Sequence, residues 1–205
     1  MLAMKFAIAA AVCVLLSASE TLADGPPGYT LGFSDDLTTS RSEGWHENHG
    51  WWEVVDGGYR AAMVPEDLHP AASRYRFGKD FNDVVWEFDF RFDGATRVAL
   101  SINDLEVHVC HAIIRPIDLA VQKDDQDTRG PDKVVELDRK KLQLAPREWH
   151  HARVEIRGDT LKATVGDVTV EGQHQAIGVP KENFALIVSG KTASFRRFRM
   201  WVKNP

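Results

Sequence analysis

Two carboxylates, Glu87 and Asp89, stand two residues apart in the run from Val84 to Asp93, VVWEFDFRFD. On an extended strand this spacing puts both on one face, about 7 Å apart. Glycoside hydrolysis uses two carboxyls separated by roughly 5 to 9 Å, one protonating the leaving oxygen and the other acting as nucleophile or base. The plainer reading is a strand whose charged face is simply solvated, because alternation alone generates such pairs. His108, with Glu106 on its face and Arg115 a few residues on, is the second candidate. An imidazole that titrates near neutrality suits general acid or base work. A base of this kind needs a partner that stabilises the negative charge left behind, and Arg91 or Arg115 is assigned that role. The plainer reading here is an edge histidine held by a backbone carbonyl.

Around these stand residues suited to binding. The chain has six tryptophans; Trp86 and Trp201 read as core, whereas Trp45, one of Trp51 and Trp52, and Trp149 fall near loops or strand ends, where an indole face stacks on a sugar ring. Trp52, Asn103, Lys123 and His69 are assigned to substrate contact, with core packing the competing reading for each tryptophan. No metal site is assigned. His46-Glu47-Asn48-His49 lacks the further partners that zinc needs. Asp124, Asp125, Asp127 and Asp132 share the loop Lys123 to Lys133, whose spacing is not that of an EF-hand, so calcium is the one ion suggested and a solvated acidic loop the plainer account. Cys110 reads as a small buried hydrophobe. There is no Gly-x-Ser-x-Gly, phosphate-cradling loop or dinucleotide fingerprint.

The elements that must hold these residues are strands. Trp86, Phe88, Phe90 and Phe92 alternate with Glu87, Asp89, Arg91 and Asp93, a period of two that a helix cannot use. Such a strand needs a second layer against its aromatic side, and its charged side is where function is expected. Similar stretches recur: an edge strand at Leu31 to Phe33, a hairpin of Trp51 to Val55 and Tyr59 to Val64 around Asp56-Gly57-Gly58, then Ala72 to Phe77, Arg97 to Asn103, Leu105 to Val109, Ile117 to Gln122, Val134 to Leu137, His150 to Ile156, Leu161 to Val165, Val168 to Val170, Ala185 to Val188 and Phe195 to Val202. Thr38 to Gly50 reads as a polar loop, and Arg139 to Leu144 as one or two helical turns. About a dozen short strands with turn signals predict an all-β, two-sheet antiparallel jelly-roll sandwich.

The first residues read as a leader. Lys5 supplies a positive start, Phe6 to Leu16 an apolar core, and Thr21-Leu22-Ala23 a cleavage site. An apolar run of about 11 residues is too short for a membrane span, which needs roughly 20. Residues 1–23 are therefore expected to be a signal peptide, residues 24–205 one β-sandwich domain without a membrane anchor, and the protein secreted or periplasmic. Cys110 is then the only cysteine left, so the core rather than a disulfide must stabilise the fold. The formal net charge is −5, with no basic stripe of the kind that binds nucleic acid. A neutral polar ligand, a carbohydrate, is the expected partner.

Taken together, Phe33-Ser34-Asp35-Asp36-Leu37, Trp52-Glu53-Val54-Val55-Asp56-Gly57-Gly58, Phe88-Asp89-Phe90-Arg91-Phe92, Lys123-Asp124, Trp149 with Val154-Glu155-Ile156-Arg157-Gly158-Asp159, and Phe198-Arg199-Met200-Trp201 resemble the 3-keto-disaccharide hydrolase-type domain of the concanavalin A-like lectin/glucanase superfamily. The resemblance spans nearly all of residues 24–205 through order and spacing. It implies a jelly roll whose concave sheet binds sugars, with hydrolase activity on 3-keto glycosides in part of the family. The sequence departs from that family at His108-Val109-Cys110-His111 and at Phe195-Arg196-Arg197. The expected function is a hydrolase or lyase acting on a glycoside in a groove formed by Arg91, Asn103, His108, Arg115 and Lys123, with His69 at its edge; the alternative is a non-catalytic carbohydrate-binding or interaction module using the same face.

Overall fold

The computed structural model describes residues 25–127 and 129–204; the expected leader, residues 1–23, lies outside them. Fifteen strands follow in order: β1 (Tyr29–Asp35), β2 (Trp45–His49), β3 (Trp51–Val55), β4 (Gly58–Ala62), β5 (Ala71–Phe81), β6 (Val84–Phe92), β7 (Ala95–Asn103) and β8 (His108–Arg115). The second half supplies β9 (Asp118–Lys123), β10 (Val135–Lys141), β11 (Trp149–Arg157), β12 (Thr160–Val165), β13 (Val168–Gln173), β14 (Lys181–Gly190) and β15 (Thr192–Lys203). They form two antiparallel sheets. One runs β13-β12-β11-β6-β15-β4-β3, with β1 also paired to β15; the other runs β10-β9-β8-β7-β14-β5-β2.

The alternation in β6 does what its spacing predicts: Trp86, Phe88, Phe90 and Phe92 are buried between the layers. Facing them, Phe184 of β14 stands within 5.1 to 6.2 Å, centroid to centroid, of Phe33, Trp45, Tyr75, Trp86 and Phe198. Rings from both sheets thus interlock along one seam, and Cys110 lies in the same core. The β3–β4 hairpin turns at Asp56 and Gly57, both with positive φ (52° and 71°), the backbone that matches the twist of a two-residue hairpin and that glycine adopts freely. No helix among the described residues is long and apolar enough to cross a membrane.

Three segments differ from expectation. The polar loop Thr38 to Gly50 contains β2, because Trp45 inserts into the core and brings its neighbours onto the edge of β5. Arg139 to Leu144 is not helical: Arg139 to Lys141 pair with β9 and Leu142 continues the contact by donating to the Ile117 carbonyl. The strand expected at Leu105 starts at His108, since Asp104 to Val107 form a turn in which Asp104 Oδ1 accepts the Glu106 and Val107 N–H groups at 2.8 and 2.7 Å.

Candidate functional site

The outward face of the β8-β7-β14-β5 sheet is laid out in rows by its register. His108, Asn103, Asn183 and Arg76 form one row, and His111, Ser101, Ala185 and Arg74 the next. A third row of Ile113, Ala99, Ile187 and Ala72 is apolar and nearly closed to solvent. Arg97 stands beyond it on β7. Strands lie about 4.8 Å apart and successive outward residues about 7 Å apart, so these rows floor a cleft of sugar-binding dimensions. The Asp104–Val107 turn walls one end; His49 and His69, stacked at 4.2 Å between centroids, wall another. The open cleft has a volume of about 370 Å³, within the range of small-ligand sites.

Two histidines dominate the chemistry. His111 Nδ1 lies 2.5 Å from Asp124 Oδ2, and Gln122 Nε2 donates to Asp124 Oδ1 at 2.7 Å. Burial alone would raise the Asp124 carboxyl, but hydrogen bonds from His111 and Gln122 and the charge of His111 outweigh it and hold the group below the usual aspartate range. Asp124 is therefore an anion at neutral pH, the acceptor for Nδ1–H, and a counter-charge for any proton carried on the ring. His108 is arranged differently. Its Nδ1 is 2.6 Å from Asn103 Oδ1 and 3.1 Å from Ser101 Oγ. Asn103 Nδ2 is already committed to Asn183 Oδ1 at 2.8 Å, and Asn183 Nδ2 to the Asp104 carbonyl. With Oδ1 thereby fixed as an acceptor, His108 Nδ1 carries the hydrogen and Nε2 is bare. Surrounding protein, then the like charges of His111 and His69, lower the His108 pKa against the opposing pull of Asp124. The two rings, 5.5 Å apart, thus face different partners, His111 a carboxylate anion and His108 a neutral amide oxygen.

No family model matches the sequence, and no curated protein matches it. Among solved structures, the carbohydrate-binding module CBM66 from Bacillus subtilis gives a TM-score of 0.60 at 17% identity, covering 77% of this chain and 94% of that one. A Bacillus subtilis protein of unknown function with a galectin-like fold gives 0.63 at 11%, covering 86% and 100%. The kappa-carrageenase from Pseudoalteromonas carrageenovora, in complex with an oligotetrasaccharide of kappa-carrageenan, gives 0.58 at 13%, covering 91% and 100%. The fold is the concanavalin A-like jelly roll. Identities this low establish the fold alone, and the likeness to the 3-keto-disaccharide hydrolase-type domain rests on the residues quoted for it.

Within the jelly roll, the residues chosen from sequence are divided between two outer faces. His108 and Asn103 meet in the cleft, and His69 stands at its edge. Arg115 shares that sheet face but lies outside the cleft, bound to Asp118 at 2.7 Å. Lys123 is opposite Cys110 in register and points inward, where it pairs with Asp132 and donates to the Lys133 carbonyl at 3.2 Å. Trp52 is buried against Tyr59 and Phe195, its Nε1 donating to the His49 carbonyl at 2.9 Å, while Trp51 is the exposed member of the pair. Trp45 is core. Within the acidic loop, Asp127 accepts the Gly130 and Asp132 N–H groups, and Asp132 that of Gln126, whereas Asp124 turns to His111.

Glu87, Asp89 and Arg91 lie on the other sheet, facing away from the cleft. Arg91 pairs with Asp93 and sits 4.9 Å from the Trp149 ring, which Arg196 approaches at 4.2 Å. Glu87 holds Arg153, which also holds Glu155. Asp89 is enclosed by His151 at 3.1 Å, Arg196 at 3.1 Å and Arg197 at 2.7 Å. Burial opposes its charge, but the hydrogen bonds from His151 and Arg197 and the arginine charges depress its pKa. A carboxylate so tied is a counter-ion, and its stabilising effect is present at neutral pH and lost as pH falls through the depressed value. Asp89→Asn is expected to destabilise the fold by on the order of 2 kcal/mol, by leaving two guanidinium groups short of an anion. The thermal midpoint should drop by roughly 4–8 °C; a variant of unchanged stability would show that Asp89 is not held as a structural counter-ion.

His111, Asp124, Arg97 and Arg74 escaped the sequence assignment. The reason is a β-bulge. Ile102 pairs with Cys110 but Asn103 pairs with His108, so Val109 is an extra residue and both Val109 and Cys110 point inward. The bulge returns His111, three residues after His108, to the same face, whereas strict alternation sends it into the core.

Proposed function

We propose that this protein is a secreted or periplasmic carbohydrate-active lyase that cleaves a glycosidic bond by elimination next to a carbonyl-activated C–H. His108 Nε2, bare and on a ring whose protonation is disfavoured, takes the proton. The C–H electron pair becomes the new C=C bond and the C–O bond to the departing sugar breaks towards oxygen. His111, its ring charge matched by Asp124, protonates that oxygen. Arg97 lines the far end of the same cavity, three rows from His108, with a buried Nε that has no hydrogen-bond partner, and adds to the positive field of the cleft in which the enolate develops. The observation carrying this reading is the pair of differently set imidazoles over one cleft. Neighbours of the same fold that include a carbohydrate-binding module and a carrageenase agree with a glycan ligand, and the apolar floor row suits the faces of sugar rings.

The test is release of unsaturated sugar, followed by ultraviolet absorbance, from a panel of 3-keto, acidic and neutral oligosaccharides. Binding without turnover across the panel would instead identify a carbohydrate-binding module. The pH profile gives a further check. Because His108 must be neutral to act and its pKa is lowered, kcat/KM should rise with pH through a midpoint below the ordinary histidine value of about 6.5. Stability carries the same sign: the folded state resists protonating this ring, so its contribution declines as pH falls from the ordinary value towards the lowered one. An acidic limb centred at or above the ordinary value assigns the base elsewhere.

A further inference from the structure

We propose that the sugar accepted by this cleft carries a carboxylate on the carbon that loses its proton, so that the substrate is an acidic glycan of uronate units; this rests on the elimination reading above. The argument is one of charge. The whole chain is acidic, at −5, yet unpaired cations collect on this face. Arg74 and Arg76 on β5 and Arg97 on β7 make no side-chain hydrogen bond or ion pair among the described residues. Several arginines elsewhere are committed, Arg153 to Glu87 and Glu155, Arg139 to Asp118 and Glu136, and Arg60 to Asp56, although Arg147 and Arg199 are as unpaired as these three. No acid bordering the cleft pairs with these three, and Asp124, whose charge reaches Arg97, is itself bonded to His111 and Gln122. Asp104 is occupied by the N–H groups of its own turn, Asp125 faces Lys133 at 3.8 Å, and Glu106 sits on the turn after the end of β7 opposite to Arg97.

Arg97, partly desolvated and unpaired, is unfavourable until an anion arrives, whereas Arg74 and Arg76 are exposed and add charge without that penalty; the planar fork of each matches a carboxylate with two parallel hydrogen bonds. A neutral keto sugar leaves all three charges uncompensated. A sulfate compensates charge but has no carbonyl to delocalise the carbanion, whereas a uronate carboxyl does both. In such a unit His108 removes H5, the pair forms C4=C5, the C4–O4 bond breaks, and His111 protonates O4. The products are an unsaturated uronate and a new chain end, with no oxidant or reductant consumed. Arg76, about 7 Å beyond Arg74 along β5, carries the cationic track past the cavity, which suits a polymer over a single sugar.

The experiment compares oligogalacturonate and oligomannuronate with the same oligomers after reduction of their carboxyls, with a sulfated neutral oligosaccharide and with a 3-keto-disaccharide, measuring calorimetric binding and ultraviolet-absorbing product. Expected is turnover of a uronate oligomer, abolished by carboxyl reduction, with Arg97→Gln weakening binding or kcat/KM roughly ten- to hundredfold. Arg74→Gln, an exposed position with little bearing on folding, should weaken binding and lessen its salt dependence. Turnover of the 3-keto sugar with uronates ignored overturns the acidic-glycan assignment and leaves the elimination reading standing. Equal handling of sulfated and carboxylated oligomers overturns the carboxylate assignment in the same way. Failure to handle any of them overturns both.

Discussion

Replacing His111 with asparagine should reduce kcat about 10²- to 10⁴-fold with little change in KM. The substitution keeps a polar group beside Asp124 and leaves the floor of the cleft intact, so substrate binding persists; what disappears is the proton delivered to the departing oxygen. Positioned acid or base groups contribute a factor of this size, equivalent to about 3–5 kcal/mol of transition-state stabilisation. His108→Ala should cost as much from the other side of the reaction. Because both rings serve one elimination that stalls when either proton transfer is lost, the double variant should be little worse than the poorer single one. Asp124→Asn discriminates further. If Asp124 only orients the His111 ring, the loss is mild; if it also carries the counter-charge, the loss approaches that of His111→Asn. Turnover that survives His111→Asn would reduce the His111–Asp124 pair to a structural contact.

The difference between what β6 and β8 reveal in sequence explains how much of this molecule can be read from the chain. In β6 the aromatic residues and the charges strictly alternate, so both its layer and its direction follow from composition, and the hairpin at Asp56-Gly57 follows from turn chemistry. Alternation, however, says only that two faces differ. It does not say which of two sheets holds the cleft, and the most prominent charges, those on β6, proved to be neutralised by Arg153, His151, Arg196 and Arg197 from β11 and β15. These partners lie more than 60 residues away in sequence. On β8 the local rule itself fails, because Val109 adds a residue to the strand and re-aims His111. Asp124 was legible only as an acidic loop residue, since its meeting with His111 depends on the β8–β9 register. Arg74 and Arg97 look like ordinary solvated charges until the register shows that no acid stands opposite them.

Phe184→Ala should destabilise the fold by about 3–5 kcal/mol, the range for removing a fully buried phenylalanine with partial collapse of the void. The residue is closed to solvent and its ring is held edge-on by Trp45 and stacked by Tyr75 and Phe198, so the seam between the sheets has few ways to refill the space. Aromatic pairs add about 0.5–1.5 kcal/mol each beyond burial, which places the expected value towards the upper end. Denaturant unfolding should show a lower midpoint at an unchanged slope. Phe184→Leu, which keeps most of the volume, should recover more than half of the loss. The position also links the core to the cleft, because its chain neighbours Asn183 and Ala185 point outward: Asn183 fixes the Asn103 amide that orients His108, and Ala185 lies beside Ser101. Loosening the seam should therefore weaken kcat in the alanine variant even where it is folded, whereas the leucine variant retains both. If Phe184→Ala instead costs under 1 kcal/mol, the two layers are less closely interlocked than these ring distances indicate, and the rigid support assigned to His108 goes with them.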